Sequence, residues 1–266
     1  MATAIKTVQI DGSTVTLLKQ PINVVTKSDF NGEKMFHSIK TNTVTNVSSR
    51  SGKTTNELVY ADNFMPEALE DILTANRIDM KHDGSCGLLM WDNIKKEHIP
   101  YARYDAKKDG GKFKTPPTGS IPCEPEPTDP IATHWPHWVP LTVDTKGQYK
   151  WYVHAFEIAK KTGKLNGINT SFTVEFMGKK LNGKKTDDIG EDAVIVPHGL
   201  ITLDIPQELR TVIGFWRIFE EMSFMEGLIV HGKSVSGRSA ATCFMMDLIV
   251  WPGQLIRLSK FLVKLL

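Results

Sequence analysis

Hydrophobic and polar residues alternate along several stretches of the chain, and this two-residue period predicts β-strands that bury one face. The alternation is clearest in FTVEFMG (172–178) and in part of AVIVPHGLITL (193–203). The stretches QYKWYVHAFEIA (148–159) and EGLIVH (226–231) are also strand-like. These segments predict a chain built largely from short strands.

Two further regions predict strands from their composition and turn signals. The first sixty residues are rich in Thr, Val and Ser, with turns expected at Asp11-Gly12 and Asn31-Gly32. Residues 78–91 predict a strand–turn–strand pair that bends at Gly84 and Gly87.

Apolar residues at helical spacing predict two helices. The first begins at Pro66 and ends before Arg77, with three apolar residues on one face: Leu69, Ile72 and Leu73. The second covers residues 207–222 and carries five residues at helical spacing: Leu209, Val212, Ile213, Trp216 and Phe219. Many strands with few helices predict an α+β fold with mainly antiparallel sheets, and argue against a doubly wound parallel sheet.

Composition permits one large folded domain and excludes a strongly charged chain. The 266 residues are 41% hydrophobic, and 32 basic residues nearly balance 30 acidic ones. A global electrostatic field typical of a nucleic-acid-binding protein is therefore not expected, although a polyanionic ligand is compatible with the balance.

Cysteine usage and the N-terminal sequence bear on location. The three cysteines, Cys86, Cys123 and Cys243, are far apart and form no CxxC motif, which favours a reducing compartment. The N-terminal stretch has no apolar core of a signal peptide, and no segment approaches the roughly 20 apolar residues that a membrane helix needs. We expect an intracellular protein that does not bind membranes, located in the cytoplasm or alternatively in the nucleus.

Residues 106–130 predict a loop. They begin with Lys and Gly and continue as TPPTGSIPCEPEPTDP, in which the prolines deny the backbone its hydrogen-bond donors.

Lys81 lies in RIDMKHDGSC (77–86) and is either a solvated lysine beside a turn or a nucleophile. In a strand, Asp79, Lys81 and Asp83 would share one face. The two carboxylates favour the protonated, unreactive lysine, whereas burial and a divalent cation would favour the reactive form. The catalytic interpretation therefore requires metal-binding carboxylates elsewhere in the chain.

Two glutamates are candidates for such carboxylates. Glu175 lies on the face opposite Phe172, Val174 and Phe176, and Glu226 precedes an otherwise apolar strand. A carboxylate in an apolar run loses solvation unless it is paired or holds a ligand. Exposure at a strand end remains the alternative for both.

In their order along the chain, these segments resemble motifs I, III and IV of the covalent nucleotidyltransferases, the superfamily of DNA ligases, RNA ligases and mRNA capping enzymes. The segments are Lys81-His82-Asp83-Gly84, VEFMG around Glu175 and EGLIV from Glu226. Four stretches narrow the resemblance to the eukaryotic 5′-to-3′ ATP-dependent RNA ligase family: YARYDAKK (101–108), HWPHWVPL (134–141), VPHGLITLDIP (196–206) and EGLIVH. The similarity covers residues 78–231.

The resemblance implies a fold and a reaction. Residues 1–231 would form one nucleotidyltransferase (adenylation) domain with two mainly antiparallel sheets flanking an ATP cleft, and residues 232–266 a divergent tail. Lys81 would attack the α-phosphate of ATP and form a lysyl–AMP. AMP would pass to an RNA 5′-phosphate, and an RNA 3′-hydroxyl would then displace it. The substrates would be RNA ends, and no protein partner is indicated.

The resemblance also implies the roles of individual residues. Glu226 would hold Mg²⁺ or Mn²⁺, and Glu175 would contact the AMP ribose or the region of the metal. Arg103 would contact ribose or phosphate, and Ile201 or Leu203 would lie against adenine. The remaining nucleotide-binding candidates are Asp83, Gly84 and His198, of which His198 alternatively only forms a turn.

One motif of the superfamily is missing. Motif V is a pair of lysines with one residue between them, in a strand after motif IV. No such KxK sequence follows Glu226. Lys233 lies too close to Glu226, and Lys260 and Lys264 lie too far away. Two alternatives therefore stay open: a non-catalytic or impaired nucleotide- or RNA-binding relative, and a DNA ligase or capping-type nucleotidyltransferase.

Overall fold

The structure is a computed structural model that describes residues 1–25, 36–37, 39–47, 54–82, 84–142, 147–178, 180–181, 193–222, 227–233 and 239–245. The described strands are β1 Thr3–Ile10, β2 Ser13–Lys19, β3 Phe36–His37, β4 Ile39–Val47, β5 Thr54–Phe64, β6 Arg77–Lys81, β7 Ser85–Asp92, β8 Glu97–Asp109, β9 Lys112–Phe113, β10 Ile121–Pro122, β11 His134–Pro140, β12 Phe172–Met177, β13 Val194–Pro197, β14 Ile201–Asp204, β15 Gly227–Lys233 and β16 Ser239–Met245. The described α-helices are α1 Ile22–Val25, α2 Pro66–Thr74, α3 Lys150–Lys161 and α4 Val212–Met222, with short 3₁₀ helices at Gly147–Tyr149 and Gln207–Leu209.

The described strands form two seven-stranded sheets and one two-stranded ribbon. The first sheet has the order β1-β2-β14-β6-β15-β16-β3, and the second has the order β10-β11-β8-β7-β12-β13, with β9 paired to β8. Strands β4 and β5 form the ribbon. Apart from β16 and β3, which are parallel, every described pair is antiparallel. The expected class, α+β with two mainly antiparallel sheets, is confirmed.

Two hydrophobic clusters are centred one on each sheet, and the first also includes Met177 and Val196 of the second sheet. In the first cluster, residues of α2 and α4 pack with apolar residues of the first sheet, among them Ile78, Leu203 and Leu228. In the second, α3 packs on the second sheet, where Phe172, Val174 and Phe176 of β12 are buried. The opposite faces of the central strands are therefore left for polar side chains.

The prediction of a strand at residues 148–159 is wrong, because this segment forms a 3₁₀ turn followed by α3. Four of its residues are buried at helical spacing: Tyr152, Ala155, Phe156 and Ala159. Aromatic and β-branched residues favour a strand locally, but a helix buries this stripe against the second sheet, and that packing outweighs the local preference.

Both predicted helices exist, but part of each buried face was assigned wrongly. Leu69 and Leu73 of α2 are 43% and 41% exposed, whereas Ala68 and Ile72 are fully buried. In α4, Ile213 is 65% exposed. Helical spacing identifies a stripe, and when apolar residues cover more than half the helix, packing selects which stripe is buried.

The β1–β2 hairpin turns at Asp11-Gly12, as expected, with φ of 50° and 82°. The turn expected at Asn31-Gly32 lies outside the described residues. The strands expected in residues 78–91 exist as β6 and β7, but they belong to different sheets. Their separation makes the segment between them, which contains Gly84, a crossing from one sheet to the other.

Strands occupy part of the expected loop, and the first sheet includes residues beyond 231. β8 extends to Asp109, and β9 and β10 lie within residues 106–130. β15 continues to Lys233 and pairs along its length with β16, so the first sheet extends beyond residue 231. Within the described residues, no helix is long and apolar enough to span a membrane.

Candidate functional site

A row of polar side chains crosses one face of the second sheet. Glu175 of β12 is the register partner of Cys86 in β7. Because Gly87 pairs with Ala102, Cys86 lies beside Arg103 of β8 on the same face. This face is opposite the one that packs on α3, since Glu175 alternates with the buried Val174 and Phe176. The row therefore faces away from the second hydrophobic cluster.

His198 pairs with Glu175 at the end of this row. Its Nε2 lies 2.9 Å from Oε2 of Glu175, and the two side chains are only 13% and 10% exposed. The backbone N–H of His198 donates to the carbonyl oxygen of Thr173 at 3.1 Å. The turn after β13 thus fixes the imidazole against the carboxylate.

Lys81 lies at the end of β6 in the first sheet. Its register partner is Gly227, the first residue of β15 and the residue that follows Glu226 in sequence. Lys81 is partly buried, and its Nζ donates to the carbonyl oxygen of His82 at 3.3 Å. Since Met80 and Ile78 lie in the first cluster, Lys81 and Asp79 occupy the other face of the strand.

Asp79 lies on the same face of β6 as Lys81 and packs against the turn that contains His198 and Gly199. It is 1% exposed and pairs with Arg77 at 2.8 Å. Gly199, at φ +75°, approaches so closely that an added Cβ would lie 3.3 Å from Oδ2 of Asp79. The two polar faces therefore meet at the turn between β13 and β14.

His82 is buried between these groups. It is 5% exposed, and within the described part of the chain its Nε2 has no hydrogen-bond partner. Burial is the main cause that lowers the pKa of His82 to about 3; the neighbouring His198 and Lys81 act in the same direction, and the charge of Asp79 opposes them. A neutral imidazole therefore fills the space beside Lys81.

Gly84 lies in direct contact with Glu175. A methyl group on Gly84 would collide with the Glu175 side chain and would lie 2.6 Å from the carbonyl oxygen of Phe176. The glycine after Lys81 is thus required by the close approach of the chain to β12, rather than by an unusual backbone angle.

Two of the expected site residues, Asp83 and Glu226, lie outside the described residues. Arg103 lies on the expected face, and its guanidinium is 3.2 Å from Oδ1 of Asp105. Its Nε is buried and has no hydrogen-bond partner among the described residues. Arg103 is therefore oriented toward the polar row that contains Cys86 and Glu175.

Ile201 and Leu203, which the resemblance places against adenine, lie on the face of β14 that packs in the first hydrophobic cluster. They are 2% and 5% exposed. Leu203 pairs with Ile78, and Thr202 pairs with Asp79. On β14, the residue on the polar face is consequently Thr202, which accepts a hydrogen bond from Nε2 of Gln20 at 2.7 Å.

Sequence reasoning missed three polar residues of the site: Arg77, Asp79 as a buried ion partner, and Cys86. The alternation that placed Asp79 beside Lys81 was available in the sequence. The pairing of Cys86 with Glu175 depends on strand register between distant segments and has no local signal.

The donors near Lys81 differ in the metals they suit. Mg²⁺ takes oxygen ligands and is commonly held by one or two carboxylates together with substrate phosphates. Glu175 fits that requirement and would supply one such carboxylate. A second donor set contains Cys86, Glu175 and His198, whose ligand atoms all lie within 4.8 Å of one another.

Comparison with known proteins adds no assignment: no family model, no curated protein and no solved structure matches this chain.

Proposed function

We propose that the protein is an ATP-dependent RNA ligase that joins RNA 5′-phosphate and 3′-hydroxyl ends through a lysyl–AMP on Lys81, within a nucleotidyltransferase fold. One observation carries the proposal: the three sequence motifs adjoin. Lys81 pairs with Gly227, directly after Glu226, and Gly84 contacts Glu175. Segments far apart in sequence thus adjoin Lys81 or Gly84.

The residues fit the chemistry of the first step. The Lys81 ammonium would first lose one proton to solvent; its Nζ would then form a bond to the α-phosphorus of ATP as the bond to pyrophosphate breaks, and the nitrogen would lose a second proton to give the neutral phosphoramidate N–H. Such a transfer depends on an in-line nucleophile and on cations that stabilise the charge on the phosphoryl oxygens. Arg103 lies on the polar row and would orient a phosphate or the ribose.

A divalent cation would complete the charge balance. Mg²⁺ or Mn²⁺, when bound, would neutralise the phosphate oxygens of ATP. Glu175 would hold it from the second sheet, and Glu226 is the candidate that precedes β15. His198 would orient the Glu175 carboxylate through its 2.9 Å contact.

A second candidate function is nucleotide or RNA binding without catalysis. β16 occupies the part of the chain in which the superfamily carries its motif V lysines, but its sequence is SAATCFM. Loss of that cationic contact to the α-phosphate would remove several kcal/mol of transition-state stabilisation, on the order of one oxyanion-type contact.

Labelling with ATP tests the proposal. We expect purified protein incubated with α-labelled ATP and Mg²⁺ or Mn²⁺ to retain label through denaturing electrophoresis. Lys81→Ala and Lys81→Arg should abolish the label, whereas Lys95→Ala, an exposed lysine in the β7–β8 turn, should keep it. Absence of label in the wild type, or its persistence in Lys81→Ala, would contradict the assignment.

Substrate and nucleotide competition separate the related activities. A 5′-phosphorylated RNA should be sealed to a 3′-hydroxyl, and unlabelled ATP should compete with the label better than GTP. Preference for GTP would indicate a capping-type enzyme, and sealing of DNA alone a DNA ligase. A salt-dependent gel shift with RNA, without any labelling of Lys81, would favour the non-catalytic alternative.

A further inference from the structure

We propose that Cys86, Glu175 and His198 form a binding site for a thiophilic divalent cation of the Zn²⁺ type, separate in its chemistry from the Mg²⁺ or Mn²⁺ that the ligase reaction would use. The three donor atoms are the Sγ of Cys86, a carboxylate oxygen of Glu175 and a ring nitrogen of His198. They come from β7, from β12 and from the turn after β13.

The distances suit a small tetrahedral ion. All three ligand atoms lie within 4.8 Å of one another, and the closest pair, Nε2 of His198 and Oε2 of Glu175, is 2.9 Å apart. Zinc bonds of about 2.0–2.3 Å at tetrahedral angles separate ligand atoms by about 3.3–3.6 Å. Side-chain rotations that move the ligand atoms by less than about 2 Å would therefore bring all three to bonding distance from one ion.

The donors are held by rigid elements. Cys86 and Glu175 are register partners on neighbouring strands in the middle of the second sheet. His198 is fixed by the backbone hydrogen bond to Thr173 at 3.1 Å. Because β7, β12 and the turn after β13 hold the three residues in place, little conformational freedom is lost when an ion binds.

The chemical types of the three donor groups determine which metal ion the site prefers. Thiolate and imidazole donors favour Zn²⁺ and exclude Mg²⁺ as the preferred occupant, since Mg²⁺ is bound by oxygen ligands. Three protein ligands leave the fourth tetrahedral position for water or for an oxygen of a substrate. Glu175 is shared with the proposed nucleotide site, so an ion held here would compete with its role toward AMP.

Cobalt provides a direct readout that does not depend on ATP. The full-length protein, freed of metal with a chelator and kept reduced with a phosphine, is titrated with Co²⁺. We expect near-ultraviolet sulfur-to-cobalt charge-transfer absorption that saturates at one equivalent. Zn²⁺ should displace it, and a hundredfold excess of Mg²⁺ should not.

Variants assign the ligands. Cys86→Ala and Cys86→Ser should both abolish the absorption, and His198→Ala should weaken Co²⁺ binding by more than about 100-fold, beyond the 10- to 100-fold loss typical of residues that only orient a ligand. Cys123→Ala is the matched control, because Cys123 is likewise a partly buried cysteine outside any disulfide, and it should keep the absorption. Circular dichroism establishes that each variant is folded.

Two results would overturn the site: no charge-transfer absorption in the wild type, or absorption that persists in a folded Cys86 variant. Loss of the absorption in Cys123→Ala would overturn the assigned ligand set. Since cobalt binding is measured without nucleotide, failure of this proposal and failure of the proposed ligase activity are distinguishable.

Discussion

His198 and Glu175 form a buried pair, with Nε2 2.9 Å from Oε2, at the point where the second sheet meets the turn that leads back to the first. His198→Ala leaves the Glu175 carboxylate buried without this partner. We expect the free energy of unfolding to fall by about 1.5–3 kcal/mol, the range for hydrogen bonds to charged groups. Urea denaturation measures it. His154→Ala, an exposed histidine on α3, should change stability by less than about 0.5 kcal/mol.

Gly84→Ala should slow self-adenylation of Lys81 by about 100-fold, because a methyl group there displaces Glu175, and a misplacement of about 1 Å has effects of this size. The rate of labelling with α-labelled ATP is the measurement. The control is Gly111→Ala in the β8–β9 turn, where φ of +87° strains an added methyl group but nothing lies within 4 Å of the Cβ, so it reports backbone strain without displacement of Glu175. Equal rates for Gly84→Ala and the wild type would show that Glu175 does not act in the reaction.

The burial of His82 predicts a pH dependence of stability. In the unfolded chain His82 binds a proton below its ordinary pKa of 6.5, whereas burial keeps it neutral in the folded protein down to about 3. The unfolded state therefore binds more protons in this window, and stability falls as pH falls from 6.5 toward 3.

Between pH 7 and pH 5, His82 should account for a loss of about 2 kcal/mol, at 1.36 kcal/mol for each unit of pKa difference. Urea denaturation of the wild type and His82→Gln at both pH values gives the difference. His154→Gln should retain the full pH dependence. A wild-type loss that His82→Gln does not reduce would mean that other groups cause it.

The ion pair of Arg77 with Asp79 should matter more than a surface pair. Asp79 has a side chain 2% exposed, but Arg77 is 38% exposed, so solvent screening reduces the penalty below that of a fully buried pair. We expect Arg77→Ala to lower the free energy of unfolding by about 1–3 kcal/mol, with the loss reduced when Asp79→Asn is also present.

The matched control for that pair is Arg217 with Asp11, whose side chains are 47% and 58% exposed. Arg217→Ala should cost less than about 1 kcal/mol. A double-mutant cycle in urea measures both coupling energies, and equal values would contradict the importance of burial at Asp79.

Local patterns in the sequence predicted most of the elements, and the clearest error was a helix taken for a strand. β12 was predicted because Phe172, Val174 and Phe176 alternate with less apolar residues, and the same alternation correctly placed Glu175 on the other face. α3 was missed because its aromatic residues favour a strand locally. Its helical stripe of apolar residues is stabilised by packing on the second sheet, which is formed by segments distant in sequence.

The sequence indicated some candidate residues of the site, but not which of them pair. The order of Lys81, Glu175 and Glu226 along the chain indicated which residues belong together. That Lys81 lies opposite Gly227, and Cys86 opposite Glu175, follows from register between distant strands.

The strand order also determines when each sheet can form during synthesis. The second sheet consists of consecutive strands from β7 to β13, so all its partners have left the ribosome once residue 197 has emerged. The strand that carries Lys81 waits longer, because its two neighbours, β14 and β15, end at residues 204 and 233. A nascent chain would therefore hold a finished half with Glu175 in place well before the lysine acquires its surroundings.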